Sequence, residues 1–169
     1  MSGDAGTEPV VRVITCETRD SLAAAGRLFD QYRQHYGMPR DDTERTLVWL
    51  TEMVESRMLT VLTASVDPSA RVPVGLATAH AVPASLGRGR FWQVRDLYVR
   101  PDARRRGVAA ALVATVRDAA SAAGASRLSL VTEHDNHAAL DLYRRLGFVT
   151  VEGLTTLSLD LTPPRTLEE

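Results

Sequence analysis

Cysteine is almost missing from this chain: Cys16 is the single one among 169 residues. An intrachain disulfide and a cysteine-built metal site are therefore excluded, and no metal is expected. Cys16 closes an early apolar stretch, which fits a small buried hydrophobe better than a catalytic thiol. Long apolar runs are missing too. None approaches the roughly 18 residues that a membrane span requires. Met1–Pro9 also lacks the basic-then-apolar order of a secretory signal. Both absences predict a cytoplasmic protein with no membrane partner. Neither sign of charge dominates, with 20 basic and 21 acidic side chains and a formal net charge of −1. That balance gives no general pull toward nucleic acid, and no nucleic-acid partner is expected. Arginine gathers only locally, at Arg104–Arg106 and Arg144–Arg145. Internal repeats and low-complexity segments are lacking.

What is present is the composition of an ordinary folded domain, 44% hydrophobic and 24% charged, in a chain long enough for a proper core. The reading is a flexible leader over residues 1–9, one domain over 10–161, and a flexible tail over 162–169. Val10–Cys16 reads as a first strand. Leu22, Ala25, Leu28, Phe29, Tyr32 and Tyr36 recur at helical spacing from Ser21 to Tyr36, and Gly37-Met38-Pro39 ends that helix. A second helix follows from Asp42 or Thr43 to Ser56. Strands are expected at Met58–Val66, at Val72–Val82 with Gly75 as a bulge or close-approach point, and at Phe91–Arg100. A helix over Gly107–Ala123, a strand over Arg127–Thr132 and a helix capped by Asp135 or Asn136 come next. Phe148–Val151 and Thr155–Leu161 read as two last strands. Strands interrupted by helices indicate a mixed α/β fold.

The segment Asp96-Leu97-Tyr98-Val99-Arg100-Pro101-Asp102-Ala103-Arg104-Arg105-Arg106-Gly107-Val108-Ala109 carries the first chemical signal. An apolar strand enters a turn, then an arginine-glycine loop, then a helix. A helix N-terminus leaves backbone N–H groups unpaired and partly positive, so it attracts an anion such as a pyrophosphate. The same segment also reads as a plain strand–turn–helix connection with a solvated basic loop, and alone it does not decide between the two.

A second segment does. Asn136-His137-Ala138-Ala139-Leu140-Asp141-Leu142-Tyr143-Arg144-Arg145-Leu146-Gly147-Phe148 has the form N-x-x-A-x-x-L-Y-x-x-x-G-F. With R-x-x-G-x-A at 104–109, it resembles the GNAT superfamily of acetyl-CoA-dependent N-acetyltransferases over nearly the whole chain. Phe29–Gly37 and Trp92 are similar to the histone-and-polyamine acetyltransferase branch. The resemblance implies one mostly antiparallel sheet flanked by helices, whose central two strands are parallel and splay apart into a cofactor cleft. It implies that backbone groups of Leu97, Tyr98 and Val99 meet the pantetheine arm of acetyl-CoA. Amides of Arg104, Arg105, Arg106, Gly107, Val108 and Ala109 would hold its pyrophosphate. Asn136 would lie near the pantetheine, and Tyr143 would protonate the leaving thiolate. A phenol with pKa about 10 is a suitable acid for a thiolate of similar basicity. A homodimer is the family's common assembly.

The base is less clear from the residues. Deprotonating a lysine-like amine at pH 7 costs roughly 4.6 kcal/mol, and an α-amine only about 1.4 kcal/mol. Related diamine acetyltransferases carry a Glu-Asp pair before the apolar strand triplet, where this chain has Arg95-Asp96. Asp96 therefore faces either the substrate or an arginine. Many relatives place a glutamate where this chain has Val131, two positions before Glu133. Glu133 is the next carboxylate available, while His134 and His80 fit a loop and a strand position. In this family the first two helices usually select the acceptor, and here they offer Tyr32, His35, Tyr36, Asp41, Asp42, Glu44 and Trp49. The acidic group among them equally fits helix capping. Residues 83–92, with Trp92, offer a second wall. The expected acceptor is a small primary amine. A protein lysine or N-terminal amine, and a non-catalytic acyl-CoA-binding module, are the alternatives.

Overall fold

Thr18 starts the first helix, α1 (Arg19–His35), through a capping box: its hydroxyl accepts from the Ser21 amide while the Ser21 hydroxyl accepts from the Thr18 amide. Asp42 caps α2 (Thr43–Glu55) by accepting from the Glu44 amide at 3.0 Å, and Asn136 caps α4 (His137–Arg145) by accepting from the Ala139 amide at 3.3 Å. The computed structural model describes residues 10–40, 42–66 and 72–161. The leader, the tail and Asp41 lie outside the described residues.

Five strands make one sheet in chain order: β1 (Arg12–Thr15), β2 (Thr60–Ser65), β3 (Gly75–Ala84), β4 (Gly89–Val99) and β5 (Leu128–Leu130). The first three pairings are antiparallel, and β4 with β5 is parallel. Helices α1 and α2 cover one face, where Leu22, Ala25, Leu28, Leu47 and Leu50 pack on Val61, Leu76 and Tyr98. Helix α3 (Val108–Ala122) covers the other face through Val108, Leu112 and Val116. Gly75 is the close-approach point: a Cβ there would stand 2.5 Å from Val108 Cγ1. Cys16 is fully buried in the core beneath α1, and burial raises its thiol pKa. It serves as a hydrophobe.

Of the two readings of Gly75, close approach holds; the bulge lies in β4, where Thr78 faces Asp96 and Ala79 faces Val94, which leaves Arg95 unmatched. One expectation fails. The segments Phe148–Val151 and Thr155–Leu161 form no strand, and Leu157, Leu159 and Leu161 are exposed. Their alternation is that of a strand, but a strand also needs a ladder partner. Turns at Gly147 and Gly153, both at positive φ, flank the first of them.

Candidate active site

The bulge determines where the site residues point. Val94, Leu97 and Val99 lie against the α3 side of the sheet, while Tyr98 lies against the α1 side. Strict alternation from Val94 would send Asp96 toward α3. The extra residue Arg95 reverses this, so Asp96 meets Thr78 and Tyr32 on the α1 side. The buried Thr78 hydroxyl donates to Asp96 Oδ2.

The same bulge ends the β4–β5 ladder. Pairing runs from Trp92–Leu128 to Val94–Leu130 and stops. Beyond it the strands diverge around a cleft of about 240 Å³, lined among others by Leu97, Thr132, Glu133, Asn136 and Tyr143. The Arg100 amide donates to Val74 on the β3 side at 2.9 Å. Because successive N–H groups point to opposite edges of a strand, the amides of Leu97 and Val99 face the cleft. Their side chains stay in the core, so cleft lining and core packing use different atoms.

Beyond the end of β4 comes the arginine-glycine loop. Arg105 (φ 61°) and Gly107 (φ 78°) both take left-handed backbone, and Gly107 leads directly into α3. Helices α1, α2 and α4 each have a side-chain cap, whereas α3 has none. The amides of Val108, Ala109 and Ala110 precede the first intrahelical bond, from Ala111 to Gly107 at 2.9 Å. An uncapped, positively polarised N-terminus fits a pyrophosphate. Val108 buries its side chain while its amide stays in this first turn. Arg104 Nε donates to the Val99 carbonyl at 3.1 Å, tying the loop to the strand. Arg105 and Arg106 are exposed.

Across the cleft, Tyr143 is half-buried and packs edge-on to Phe148 with centroids 5.8 Å apart. Burial, then Tyr36 and Glu133 nearby, raise its pKa above the usual phenol value. Tyr32 on α1 and Tyr36 at its C-terminal cap approach from the other side. Burial, then the Asp96 charge, raises the Tyr32 pKa. Burial followed by the Glu133 charge raises that of Tyr36. The structure therefore brings Asp96, Glu133, Asn136 and Tyr143 into one neighbourhood with Tyr32 and Tyr36 of the expected acceptor side, and adds Thr78.

Other candidates fall away from it. Trp92 packs on the α3 side and does not line the cleft. His80 lies beside Arg95 with Nδ1 buried and unpartnered, and burial lowers its pKa. His134 is an exposed loop residue. Asp42 caps α2 and Glu44 pairs with Arg19 at 3.1 Å, so these acids are occupied at the helix start. Among the described residues no group of three or more His, Cys, Asp or Glu is placed to hold a metal ion.

The bulge and Thr78 have no signature in the sequence, because a register shift leaves no compositional mark. The helical spacing of Tyr32 and Tyr36 was the available signal for their pairing.

Comparison with known proteins gives a consistent result. The model of the acetyltransferase (GNAT) family matches residues 17–148. The uncharacterized N-acetyltransferase YhfO of Bacillus subtilis is 29% identical over 145 residues, 86% of this chain and 94% of that protein. A crystal structure of a probable acetyltransferase superposes with a TM-score of 0.80 at 26% identity, covering 90% of this chain and 99% of that one. An aminoglycoside acetyltransferase, meta-AAC0020, from an uncultured soil metagenomic sample superposes with a TM-score of 0.72 at 17% identity, over 90% and 97% of the two chains.

Proposed function

Since the chain belongs to the GNAT acetyltransferase family and is an acetyl-transferring enzyme, we propose that it moves an acetyl group from acetyl-CoA to a primary amine of a small molecule, by direct transfer with both substrates bound. The observation that carries this reading is the uncapped α3 N-terminus beyond the end of the splayed strand β4, with the Tyr143 hydroxyl-bearing helix across the cleft. Enzymes of this family generally use acetyl-CoA, which supplies an activated acetyl thioester. The amides from Arg104 to Ala109 hold the pyrophosphate. The Leu97 and Val99 amides and Asn136 line the pantetheine path, and a strand N–H polarises the thioester carbonyl.

Tyr143 is the acid for the departing thiolate, since its raised pKa keeps the hydroxyl protonated at neutral pH. Asp96 is the first acceptor of the amine's proton, because the bulge aims it at the side of the sheet covered by α1. Glu133 is the outer carboxylate of the same site. Direct transfer fits an architecture in which thioester and amine reach the cleft from opposite sides. A small acceptor fits a cleft of about 240 Å³ whose α1 wall is occupied by Tyr32 and Tyr36. Among the described residues no helix is long and apolar enough to cross a membrane. A single domain over 10–161, cytoplasmic and homodimeric, completes the proposal.

The test is incubation of the full chain with radiolabelled acetyl-CoA and an amine library. All 20 basic residues besides histidine are arginine, so label on the protein cannot be lysine self-acetylation. Label transfer to small amines is expected, with at least a tenfold loss of turnover in Tyr143→Phe. Tight acetyl-CoA binding without transfer to any amine would instead identify a binding module.

A further inference from the structure

Among the described residues, two charged side chains line the cleft: Arg95 from β4 and Glu133 from the loop after β5. They stand on opposite sides of the gap between the diverging strands and form no ion pair with each other. Arg95 is exposed and, among the described residues, makes no hydrogen bond or ion pair. A guanidinium beside carboxylates normally pairs with one of them. Here each carboxylate accepts from a neighbouring hydroxyl instead, Asp96 from Thr78 and Glu133 from Thr132 at 3.4 Å. The next arginines along the chain are engaged: Arg100 pairs with Asp102 at 2.6 Å, and Arg104 donates to the Val99 carbonyl.

Arg95 is also the residue that the bulge adds, so the register shift sets a cation directly before Asp96. It follows the last rung of the β4–β5 ladder, the Val94–Leu130 pair. The arginine-glycine loop begins only after Val99, about 13 Å further along an extended strand. Arg95 therefore stands at the end of the cleft away from the pyrophosphate cradle, where an acceptor and not the donor's phosphates would meet it.

We propose that Arg95 selects the acceptor by binding the carboxylate of an amino acid whose primary amine is the group acetylated. This rests on the acetyltransfer reading of the same site. A zwitterion matches the cleft in both the sign and the placement of charge. Its ammonium is drawn toward Glu133 and Asp96, and its carboxylate toward Arg95. The guanidinium presents a planar fork of N–H donors that fits a carboxylate through two parallel bonds. Because no protein carboxylate holds Arg95, this contact breaks no existing ion pair. A diamine meets the opposite condition, since its second cation is repelled by Arg95. An uncharged amine gains nothing from that side chain. Arg95 makes and breaks no bond; it is a specificity residue that holds the acceptor while the amine attacks the thioester.

The test compares matched acceptors with the full chain and acetyl-CoA. The panel holds amino acids of increasing amine-to-carboxylate spacing, the primary amide of each, diamines and aminoalkyl phosphates. At least one amino acid should exceed its own amide by about tenfold or more in kcat/KM. In Arg95→Gln that preference should drop by about tenfold, mainly through a higher KM for the amino acid. A merely structural role in the bulge would instead slow acids and amides alike. Arg95→Lys keeps the charge and should retain part of the preference, while Arg95→Glu should turn it toward diamines. Equal rates for acids and amides, or a preference that survives Arg95→Gln, would overturn the role of Arg95 and leave acetyl transfer standing. An aminoalkyl phosphate outrunning every amino acid would overturn the carboxylate assignment. No acetylation of any amine despite bound coenzyme A would overturn the acetyltransfer reading, and the selection with it.

Discussion

Gly107 takes part in the site through its backbone alone. A Cβ there would meet nothing within 4 Å, but φ is +78°, where an L side chain is strained. Gly107→Ala should therefore cost about 1 kcal/mol in this loop. If the strain is relieved by moving the loop, coenzyme A binding weakens by about fivefold. Calorimetric titration of coenzyme A into the two proteins measures it. Tyr143 makes a different kind of demand. Its pKa lies above the ordinary phenol value, so the hydroxyl keeps its proton throughout the neutral and mildly alkaline range. The kcat profile should accordingly not decline between pH 7 and about pH 9. A decline there would assign the acid to some other group.

At the scale of elements, the contact of α3 with β3 controls the position of the anion cradle. In Gly75→Ala the new Cβ would press on Val108 Cγ1 at 2.5 Å and Leu112 Cδ1 at 3.0 Å. The expected loss is about 1–3 kcal/mol of stability, together with weaker coenzyme A binding, because Val108 is the first residue of the helix that presents the amides. Gly87→Ala, with nothing within 4 Å, is the neutral control. Denaturant unfolding of both variants separates these outcomes.

The same elements show what was legible in the sequence. The four helices were readable because periodicity and side-chain caps are local signals, and Thr18, Asp42 and Asn136 lie next to the residues they cap. The uncapped α3 was readable from its arginine-glycine loop. The bulge at Arg95 was not, since it depends on how β4 registers with β3. The strands expected at 148–151 and 155–161 do not form, for a related reason: alternation describes one segment, whereas pairing involves two. Asp96 and Glu133 were readable as candidates. Their convergence with Tyr32 and Tyr36 on one neighbourhood was not, because it joins residues far apart in the chain.

For the whole molecule, the raised pKa values make a linkage prediction. Cys16, Tyr32, Tyr36 and Tyr143 all hold their protons more firmly when folded than a free thiol or phenol does. The unfolded chain therefore releases these protons first as pH rises, so their contribution is fully present below the unfolded values and is lost above them. The Tm should hold steady from pH 7 to about 9 and fall above about pH 10. Saturating coenzyme A should raise it, by about 2.7 kcal/mol of stability at a hundred times its Kd.

The central claim is that the cleft between β4 and β5 transfers acetyl groups, with Tyr143 as the acid. The most direct test is mass spectrometry of a primary-amine panel after incubation with acetyl-CoA and either the full chain or its Tyr143→Phe variant. Both proteins are first shown to bind coenzyme A equally. The account predicts amines carrying one added acetyl group with the unaltered chain, and at least tenfold less with the variant. Equal yields from the two proteins, or no acetylated amine despite bound coenzyme A, would contradict it.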